Sequence, residues 1–282
     1  MKPAPFRYAR PGSALAAAGL LAAEAREARL LAGGQTLVPL LTRRLERPSL
    51  IIDINRIAGL DRIEPAGTHI RMGALVRLEQ ALRSALVRKE VPGVAAALAW
   101  VANPVVRQRG TVVGNLVTNS PGAELPAVAL TLAAELILRY VDREETVPAA
   151  SLIGPHQSIP PDAFVTHVIW PRRRARVGFY EVARREGHAP VVSSMVMLHE
   201  GECKVALSGL GKTGMSCPAT ARVIARQFPS VPDACDLASA LLADLSGPVY
   251  ADAYSSAQYR LDVAPVVIQR AARLMASQDD AP

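Results

Sequence analysis

The segment Ala32-Gly33-Gly34-Gln35-Thr36 gives the first indication of how this chain folds. A short apolar run, 29–31, precedes it, and a helix-like run begins near Leu37. Two glycines at a strand-to-helix turn let backbone N–H groups approach an anion, and the start of the helix adds a positive dipole end. Because Gly-Gly is more often a plain turn, this segment alone predicts an anion-binding loop only weakly.

A second segment, about eighty residues further on, strengthens that interpretation. It spans residues 107–115 and reads RQRGTVVGN, so that a hydroxyl, a glycine and an amide lie close together. Donors in such a segment can converge on one ligand. Neither segment is a dinucleotide fingerprint, and the two together predict one extended ligand held between two subdomains.

Both segments resemble loops of the FAD-binding medium subunits of molybdenum hydroxylases, the group of carbon monoxide dehydrogenase and xanthine dehydrogenase. Residues 32–36 match the A-G-G-Q/H-S/T loop of that family, and residues 111–115 are similar to its T-I-G-G-N/S loop. Further segments resemble the family in the same order: IIDINRI at 51–57, RMGAL at 71–75, AELPA at 123–127, ARR at 183–185 and AQYR at 257–260. The resemblance therefore covers essentially the whole chain.

The resemblance implies an α+β fold in two parts. Residues 1–171 would form a two-subdomain FAD-binding domain of the vanillyl-alcohol-oxidase/PCMH type, divided into about 1–58 and 59–171. Residues 176–278 would form a C-terminal α+β domain, a sheet plus helices, of the CO-dehydrogenase flavoprotein type. The polar, Pro-led run 171–176 is the best boundary that the residues themselves suggest.

Local patterns predict the individual elements. Ser13 is the expected N-cap of an Ala-rich helix that ends near Ala28, and 50–54 reads as a buried strand. Further strands are expected near 70 and at 136–141, 191–198 and 204–207, and further helices at 78–87, 94–101, 126–134, 219–226, 234–245 and 263–275.

Composition excludes several classes of protein. The 282 residues contain no uninterrupted apolar run of roughly eighteen, so no membrane span is predicted. The N-terminus lacks the apolar core of a signal peptide, which favours the cytoplasm. Cys203, Cys217 and Cys235 are scattered, which predicts reduced thiols rather than a disulfide, zinc or iron–sulfur site, and the histidines show no H-x-x-x-H spacing. Metal ligation and iron–sulfur clusters on this chain are therefore not expected.

The net charge of +7 does not indicate nucleic-acid binding. The excess of basic residues is diffuse, and aromatic residues make up only 4% of the chain, too few for a base-stacking platform. A surface that meets an acidic partner subunit, or simple solvation, explains the charge better.

One further motif competes with this interpretation. Residues 209–214 read GLGKTG, which satisfies G-x-G-x-x-G after a predicted strand. However, Ala206 replaces the first glycine of a P-loop, and the segment 215–218 delays any helix past the position where a phosphate would meet its N-terminus. A loop without a nucleotide role is the prediction, and a nucleotide-binding enzyme using Gly209 to Gly214 remains the alternative.

The resemblance also implies which residues bind the cofactor. The two loops would wrap the pyrophosphate and ribityl portion of FAD largely through backbone N–H groups, and Glu124 would accept hydrogen bonds from flavin or ribose hydroxyls, unless it is only a surface charge. An aromatic edge from Tyr180 could stack on the flavin ring, where the family often places a lysine nearby. The implied cofactor-binding residues are Ala32, Gly33, Gly34, Gln35, Thr36, Thr111, Val112, Val113, Gly114, Asn115, Glu124 and Tyr180. No catalytic acid or base and no metal ligand is implied.

Val113 is the clearest departure from the family pattern, which has glycine at this position. Valine resists positive φ and occupies space beside a phosphate. Either the position adopts an ordinary β conformation, or flavin affinity is reduced. A flavin-free structural or assembly subunit is therefore a second alternative.

The function that the resemblance implies is electron transfer within an oxidoreductase. FAD on this chain would pass electrons to an external acceptor. The molybdenum cofactor would lie on a large partner subunit and 2Fe-2S clusters on a small one, in a dimer of heterotrimers. Nothing in this chain identifies the substrate or the final acceptor.

Overall fold

The computed structural model describes residues 2–24, 27–118, 120–154 and 158–278. The chain begins with a three-stranded parallel sheet in the order β1-β3-β2, flanked by two helices. The elements are β1 (Arg7–Ala9), α1 (Ala14–Glu24), β2 (Ala28–Leu31), α2 (Leu37–Thr42) and β3 (Leu50–Asp53). Because parallel strands end at the same edge of a sheet, the residues after β2 and after β3 lie side by side.

The first helix begins where its cap predicts. The Ser13 hydroxyl accepts the Ala16 N–H at 3.1 Å, and Ala17, Ala18 and Leu21 are buried. The helix ends at Glu24 rather than near Ala28, because Ala28 already pairs with Leu50 in the sheet.

A five-stranded antiparallel sheet follows, in the order β4-β5-β8-β6-β7. Its strands are β4 (Ile63–Ala66), β5 (His69–Gly73), β6 (Glu135–Arg139), β7 (Glu144–Pro148) and β8 (Phe164–Pro171). The helices between β5 and β6 are α3 (Leu78–Arg83), α4 (Ala85–Glu90), α5 (Pro92–Leu98), α6 (Pro104–Arg107), α7 (Val112–Leu116) and α8 (Leu125–Leu132).

The helix predicted over 78–87 is wrong in one respect, since it is two helices. Ser84 takes an extended conformation (φ −66°, ψ 119°) between α3 and α4. Its hydroxyl accepts the Val87 N–H at 3.3 Å and so caps the second helix. A serine is well suited to this break because its side chain replaces a backbone acceptor.

The remaining chain forms a four-stranded antiparallel sheet in the order β12-β11-β10-β9, covered by three helices. The elements are β9 (Arg176–Ala183), β10 (Pro190–His199), β11 (Glu202–Ser208), β12 (Met215–Ser216), α9 (Pro218–Gln227), α10 (Ala234–Asp244) and α11 (Ala257–Ala276). Helix α11 begins six residues before the predicted position 263, where the Ser256 hydroxyl accepts the Tyr259 N–H at 3.1 Å.

Two hydrophobic cores share strand β10. Met195 and Met197 belong to the core of the first two sheets, whereas Val192 and Val196 pack with α9 to α11 on the opposite face. This alternation follows from the period of two in a strand. The C-terminal sheet therefore presents one face to the preceding part of the chain, and the domain boundary at 171–176 stays a prediction.

None of the described helices is long and apolar enough to cross a membrane. Cys203, Cys217 and Cys235 are free thiols, and no group of three metal-ligating side chains occurs in the described part of the chain.

Candidate functional site

A cavity of about 490 Å³ lies where the first two sheets meet. Ten of the twelve residues predicted to bind a cofactor line it. Only Val112 and Tyr180 of that set are absent from its wall. The ten are Ala32, Gly33, Gly34, Gln35, Thr36, Thr111, Val113, Gly114, Asn115 and Glu124.

The first loop, residues 32–36, presents a series of free backbone donors. It follows the carboxyl end of β2 and turns into α2 through Gly34, whose φ of +72° favours glycine. In the described chain, the N–H groups of Gly33, Gly34, Gln35 and Thr36 donate to no protein acceptor. Consecutive N–H groups without acceptors form a concavity that suits an anion.

The second loop, residues 109–115, packs directly on the first. A Cβ added to Gly33 would lie 2.5 Å from the Arg109 carbonyl oxygen and 2.9 Å from the Gly110 Cα. The hydroxyls of Thr118 and Thr36 also meet, at 3.4 Å. Glycine at position 33 is therefore required for the approach of the two backbones, and the predicted convergence of the two segments is confirmed.

A hydrogen-bonded bridge fixes the spacing of the two loops. The Asn55 amide donates to the Ala32 carbonyl oxygen at 2.9 Å, and its own oxygen accepts from Arg77 at 2.7 Å. Arg77 donates a second bond, also 2.7 Å long, to the carbonyl oxygen of Arg109. Sequence reasoning missed Arg77, because its partners lie 22 and 32 residues away along the chain.

The same arginine places a positive charge behind the contact of the two loops, outside the residues that line the cavity. Burial and the neighbouring Arg109 lower the pKa of the Arg77 guanidinium from its ordinary value, but an arginine stays charged at neutral pH. Arg109 itself is exposed beside the loop contact. Two cations next to the free N–H groups of the first loop favour a ligand with negative charge.

The second loop contributes fewer free donors than the first. Thr111 caps α7, and its hydroxyl accepts the Gly114 N–H at 2.9 Å. The N–H groups of Val112 and Asn115 are also engaged, by the carbonyl oxygens of Val76 and Thr111 at 3.0 Å each. We expected this loop to bind the ligand mainly through its backbone N–H groups. Only part of the loop has N–H groups free to do so.

Val113 is a helical residue of α7. Its φ is not positive, and its side chain is buried against the wall of the cavity. The first of the two alternatives, an ordinary β conformation at this position, is wrong. Val113 also has no positive φ, so the backbone strain that a valine would suffer there is absent. A valine is sterically compatible with this backbone, although its side chain narrows the cavity.

Asn115 and Glu124 form a polar pair at one end of the cavity. The Asn115 amide donates to the Glu124 carboxylate at 2.8 Å, and its oxygen accepts the Leu125 N–H at 3.1 Å. Glu124 is only 3% exposed, so the interpretation of it as a surface charge is wrong. Burial raises the pKa of this carboxyl to about 7, although the Asn115 hydrogen bond opposes the shift.

Tyr180 lies outside the cavity wall. Its hydroxyl accepts a hydrogen bond from Arg270 of α11, and its ring meets the Trp100 ring edge-on with centroids 5.2 Å apart. Val112, the first residue of α7, is buried, and its N–H donates to the Val76 carbonyl oxygen. The ligand roles predicted for these two residues stay predictions.

Apolar side chains form much of the remaining cavity wall. Phe164 and Val165 of β8 stand opposite the loops, with Ile159, Val101 and Val106 around them. The arrangement combines a polar end, which carries free backbone N–H groups, with an apolar remainder. Such a cavity suits an extended ligand with an anionic part and a flat apolar ring.

Residues 209–214 do not form a phosphate-binding loop. Gly209 has a φ of +104°, and its carbonyl oxygen accepts from Arg260 at 2.9 Å. A Cβ on Gly214 would lie 3.0 Å from Pro126, so the segment packs against α8. It leads into strand β12 instead of a helix. The geometry argues against the nucleotide-binding alternative.

A comparison with known families matches residues 4–173 to the family described as "FAD binding domain in molybdopterin dehydrogenase". The 6-hydroxypseudooxynicotine dehydrogenase complex subunit alpha of Paenarthrobacter nicotinovorans is 34% identical over 282 residues, which cover 96% of this chain and 94% of that protein. The nicotine 6-hydroxylase medium subunit of the same organism is also 34% identical, over 73% of each chain.

A solved structure of similar shape is quinoline 2-oxidoreductase from Pseudomonas putida 86. It superimposes with a TM-score of 0.86 at 28% identity, covering 98% of both chains.

Proposed function

The chain belongs to the family of FAD-binding domains in molybdopterin dehydrogenases, and from this membership we propose how it holds FAD and moves electrons. The family resemblance inferred from the two loops is thereby confirmed. The observation that carries the proposal is the contact of Gly33 with Arg109 and Gly110, which brings both loops to one cavity.

The residues present fit a dinucleotide with a diphosphate in its middle. Four backbone N–H groups of the first loop have no protein acceptor in the described chain, and Arg77 and Arg109 supply positive charge beside them. These groups would hold the diphosphate. Thr36 and Thr118 stand at the same contact and would bond its oxygens or the adjoining hydroxyls.

The other parts of FAD would follow the chemistry of the wall. Glu124, which is held by Asn115, would accept hydrogen bonds from paired hydroxyls of the ligand. Phe164, Val165 and Ile159 would cover the apolar face of the ring and exclude water from it. Bound FAD supplies the redox chemistry, since its ring accepts electrons and releases them to an acceptor.

The chain's own residues then need no acid–base or metal chemistry. Their task is to bind, to orient and to set the polarity around the ring. We place the molybdenum cofactor on a large partner subunit and the 2Fe-2S clusters on a small one, and this chain between those clusters and an external acceptor. Related chains are named as the medium subunit or a subunit of a complex. A dimer of heterotrimers in the cytoplasm is part of the same proposal.

The flavin-free alternative loses its main support. It depended on a valine that resists positive φ and occupies space beside a phosphate. The first concern is removed, because Val113 is an unstrained helical residue. Electron transfer through bound FAD is the function that the geometry supports best.

The experiment is a flavin assay on the purified full chain. We expect FAD in about a one-to-one ratio to protein, and recovery of that ratio when flavin-free protein is incubated with FAD. FMN, which lacks the adenylate half, should bind at least tenfold more weakly, because an extended cavity contacts both halves. A folded chain that binds neither flavin would refute the proposal.

A further inference from the structure

A row of buried polar side chains crosses the C-terminal sheet on the face opposite the helices α9 to α11. Glu181 of β9 is paired with Ser193 of β10, and Ser193 with Ser208 of β11. The Glu181 Oε2 and both serine Oγ atoms are buried and have no hydrogen-bond partner in the described chain. Glu181 is only 5% exposed, so its carboxyl has little contact with water.

The alternation of β9 fixes which way this row faces. Gly178 approaches α11, since a Cβ there would lie 1.9 Å from the Ala271 carbonyl oxygen. Phe179 packs instead in the core of the first two sheets. Glu181 is two residues beyond Phe179 and shares its face, so the carboxyl points toward the part of the chain that carries the cavity.

Glu124 approaches the same region from the other side. It immediately precedes α8, which packs on β10 and β11. Next to it, a Cβ on Gly122 would lie 3.1 Å from the Ala189 Cβ, just before β10. Glu124 lines the cavity whereas Glu181 does not, and the charge of Glu124 acts on Glu181 across this contact of the two parts of the chain.

No cation in the described chain faces this pair. Helices α5 and α8, which pack on β9 and β10, contain no titratable side chain. Two basic residues of α11 contact this sheet. Arg270 donates to Tyr180, which points to the opposite face, and the buried Arg260 donates to the carbonyl oxygens of Val191 and Gly209 and to the Asp252 carboxylate. The basic residues of β10 and β11 are His199 and Lys204. Both lie at the end of their strand that is far from Glu181. Among the described residues, Glu124 is the one whose charge acts on Glu181.

Two buried carboxyls without a cation do not both ionise at neutral pH. Burial, reinforced by the Glu124 charge, raises the pKa of Glu181 to about 8, and burial raises that of Glu124 to about 7. The Asn115 amide donates to Glu124 and favours the ionised form there, whereas Glu181 has no such donor. The proton therefore stays on Glu181.

We propose that Glu181 is the protonated member of this carboxyl pair at neutral pH, while Glu124 is the ionised member that accepts the hydroxyls of FAD, and that ionisation of Glu181 at higher pH weakens FAD binding. The inference rests on the proposed function, because the hydroxyls are those of the bound cofactor. Ionisation of Glu181 at higher pH adds a second buried negative charge behind Glu124 and weakens binding of the anionic ligand. Protonation of Glu124 at lower pH removes the acceptor and weakens binding as well.

The test is the pH dependence of FAD affinity, measured by fluorescence titration of the flavin-free full chain. For the wild type we expect the dissociation constant to rise roughly five- to tenfold from about pH 7.5 to about pH 9. Glu181→Gln is neutral at every pH and should keep the neutral-pH affinity within about twofold while losing this rise. Glu124→Gln should bind FAD more weakly at every pH, because the charged acceptor is gone.

Glu202→Gln, an exposed acid at the far end of β11, is the matched control and should follow the wild type. If Glu181→Gln does not fold, infrared spectra of the wild type replace it. A protonated-carboxyl band should be present at neutral pH and disappear as the pH rises past about 8. A wild type and a Glu181→Gln variant with the same alkaline pH profile, or a wild type without that band, would overturn the inference. A chain that binds no FAD at all would instead refute the proposed function.

Discussion

Gly33 lies against Gly110 so closely that a Cβ on Gly33 would be 2.9 Å from the Gly110 Cα. Residues 77 positions apart in sequence thus meet backbone to backbone, and the contact defines one end of the cofactor cavity. The Asn55–Arg77 bridge holds the same two loops from behind. If the diphosphate binds as proposed, we expect its affinity to depend on how accurately this contact is kept.

Gly33→Ala should damage the cavity directly. The added Cβ would stand 2.5 Å from the Arg109 carbonyl oxygen, and a backbone atom cannot move away as a side chain can. We expect a loss of roughly 1–3 kcal/mol in the free energy of unfolding and at least a tenfold weaker FAD affinity. Denaturant titration and flavin fluorescence measure the two effects.

Gly19→Ala is the matched control for that variant. Gly19 lies within α1 with open space around it, so alanine should stabilise the chain by about 0.5–1 kcal/mol and leave FAD affinity unchanged. Equal effects of the two substitutions on FAD binding would contradict the role given to the loop contact.

Arg77→Met should have a larger effect on the free energy of FAD binding than on the free energy of unfolding. The substitution removes both hydrogen bonds that join Asn55 to the Arg109 carbonyl and one positive charge beside the diphosphate. We expect a dissociation constant roughly tenfold to a hundredfold higher. Arg83→Met, on the exposed side of the same helical region and paired with Glu79, should change it less than about twofold. If both variants bind alike, the bridge has no part in binding.

Val113→Gly should not improve flavin binding, although glycine is the residue of the family pattern. Val113 is buried and helical, so glycine would remove packing and increase the freedom of the unfolded backbone. A loss of roughly 2–4 kcal/mol in the free energy of unfolding is expected, without a gain in FAD affinity. A large gain in affinity would revive the view that Val113 excludes the cofactor.

The stability of the flavin-free chain should fall as the pH rises, in part because of Glu181. The folded pKa of this carboxyl is about 8, above its ordinary value of 4.5. A carboxyl whose pKa is higher in the folded than in the unfolded chain makes its full contribution to the free energy of unfolding below the unfolded pKa, near 4.5. That contribution is lost as the pH rises from about 4.5 to about 8. Glu181→Gln should be more stable than the wild type at pH 9 by on the order of 3 kcal/mol, and equal to it near pH 4. Urea titrations at the two pH values measure the difference, and a variant less stable at pH 9 would contradict the account.

Local sequence patterns were sufficient to predict those elements whose contacts lie within a few residues along the chain. Ser13 caps its helix through a partner three residues away, as predicted, and the loop 32–36 follows its strand directly. The residues expected in the wall of the cavity came from the family resemblance, and ten of them stand on two short loops and at the start of α8.

The rest depends on contacts that no local pattern reveals. Strands β8 and β9 were not predicted. The first three residues of β8, 164–166, are buried on both faces, which obscures the alternation typical of a strand, and β9 contains a glycine that approaches α11. Arg77 acts through residues far away in sequence. Glu181 appears in the sequence as an ordinary acid, and only the sheet register places it in a buried polar row.

The structure of the full chain with FAD bound is the measurement that tests the central claim most directly. We predict that the diphosphate oxygens lie within about 2.7–3.2 Å of the backbone nitrogens of residues 33–36, beside Arg77 and Arg109, with Glu124 against ligand hydroxyls. FAD bound elsewhere on the chain, with the N–H groups of the first loop more than a hydrogen-bond length from any phosphate oxygen, would contradict it.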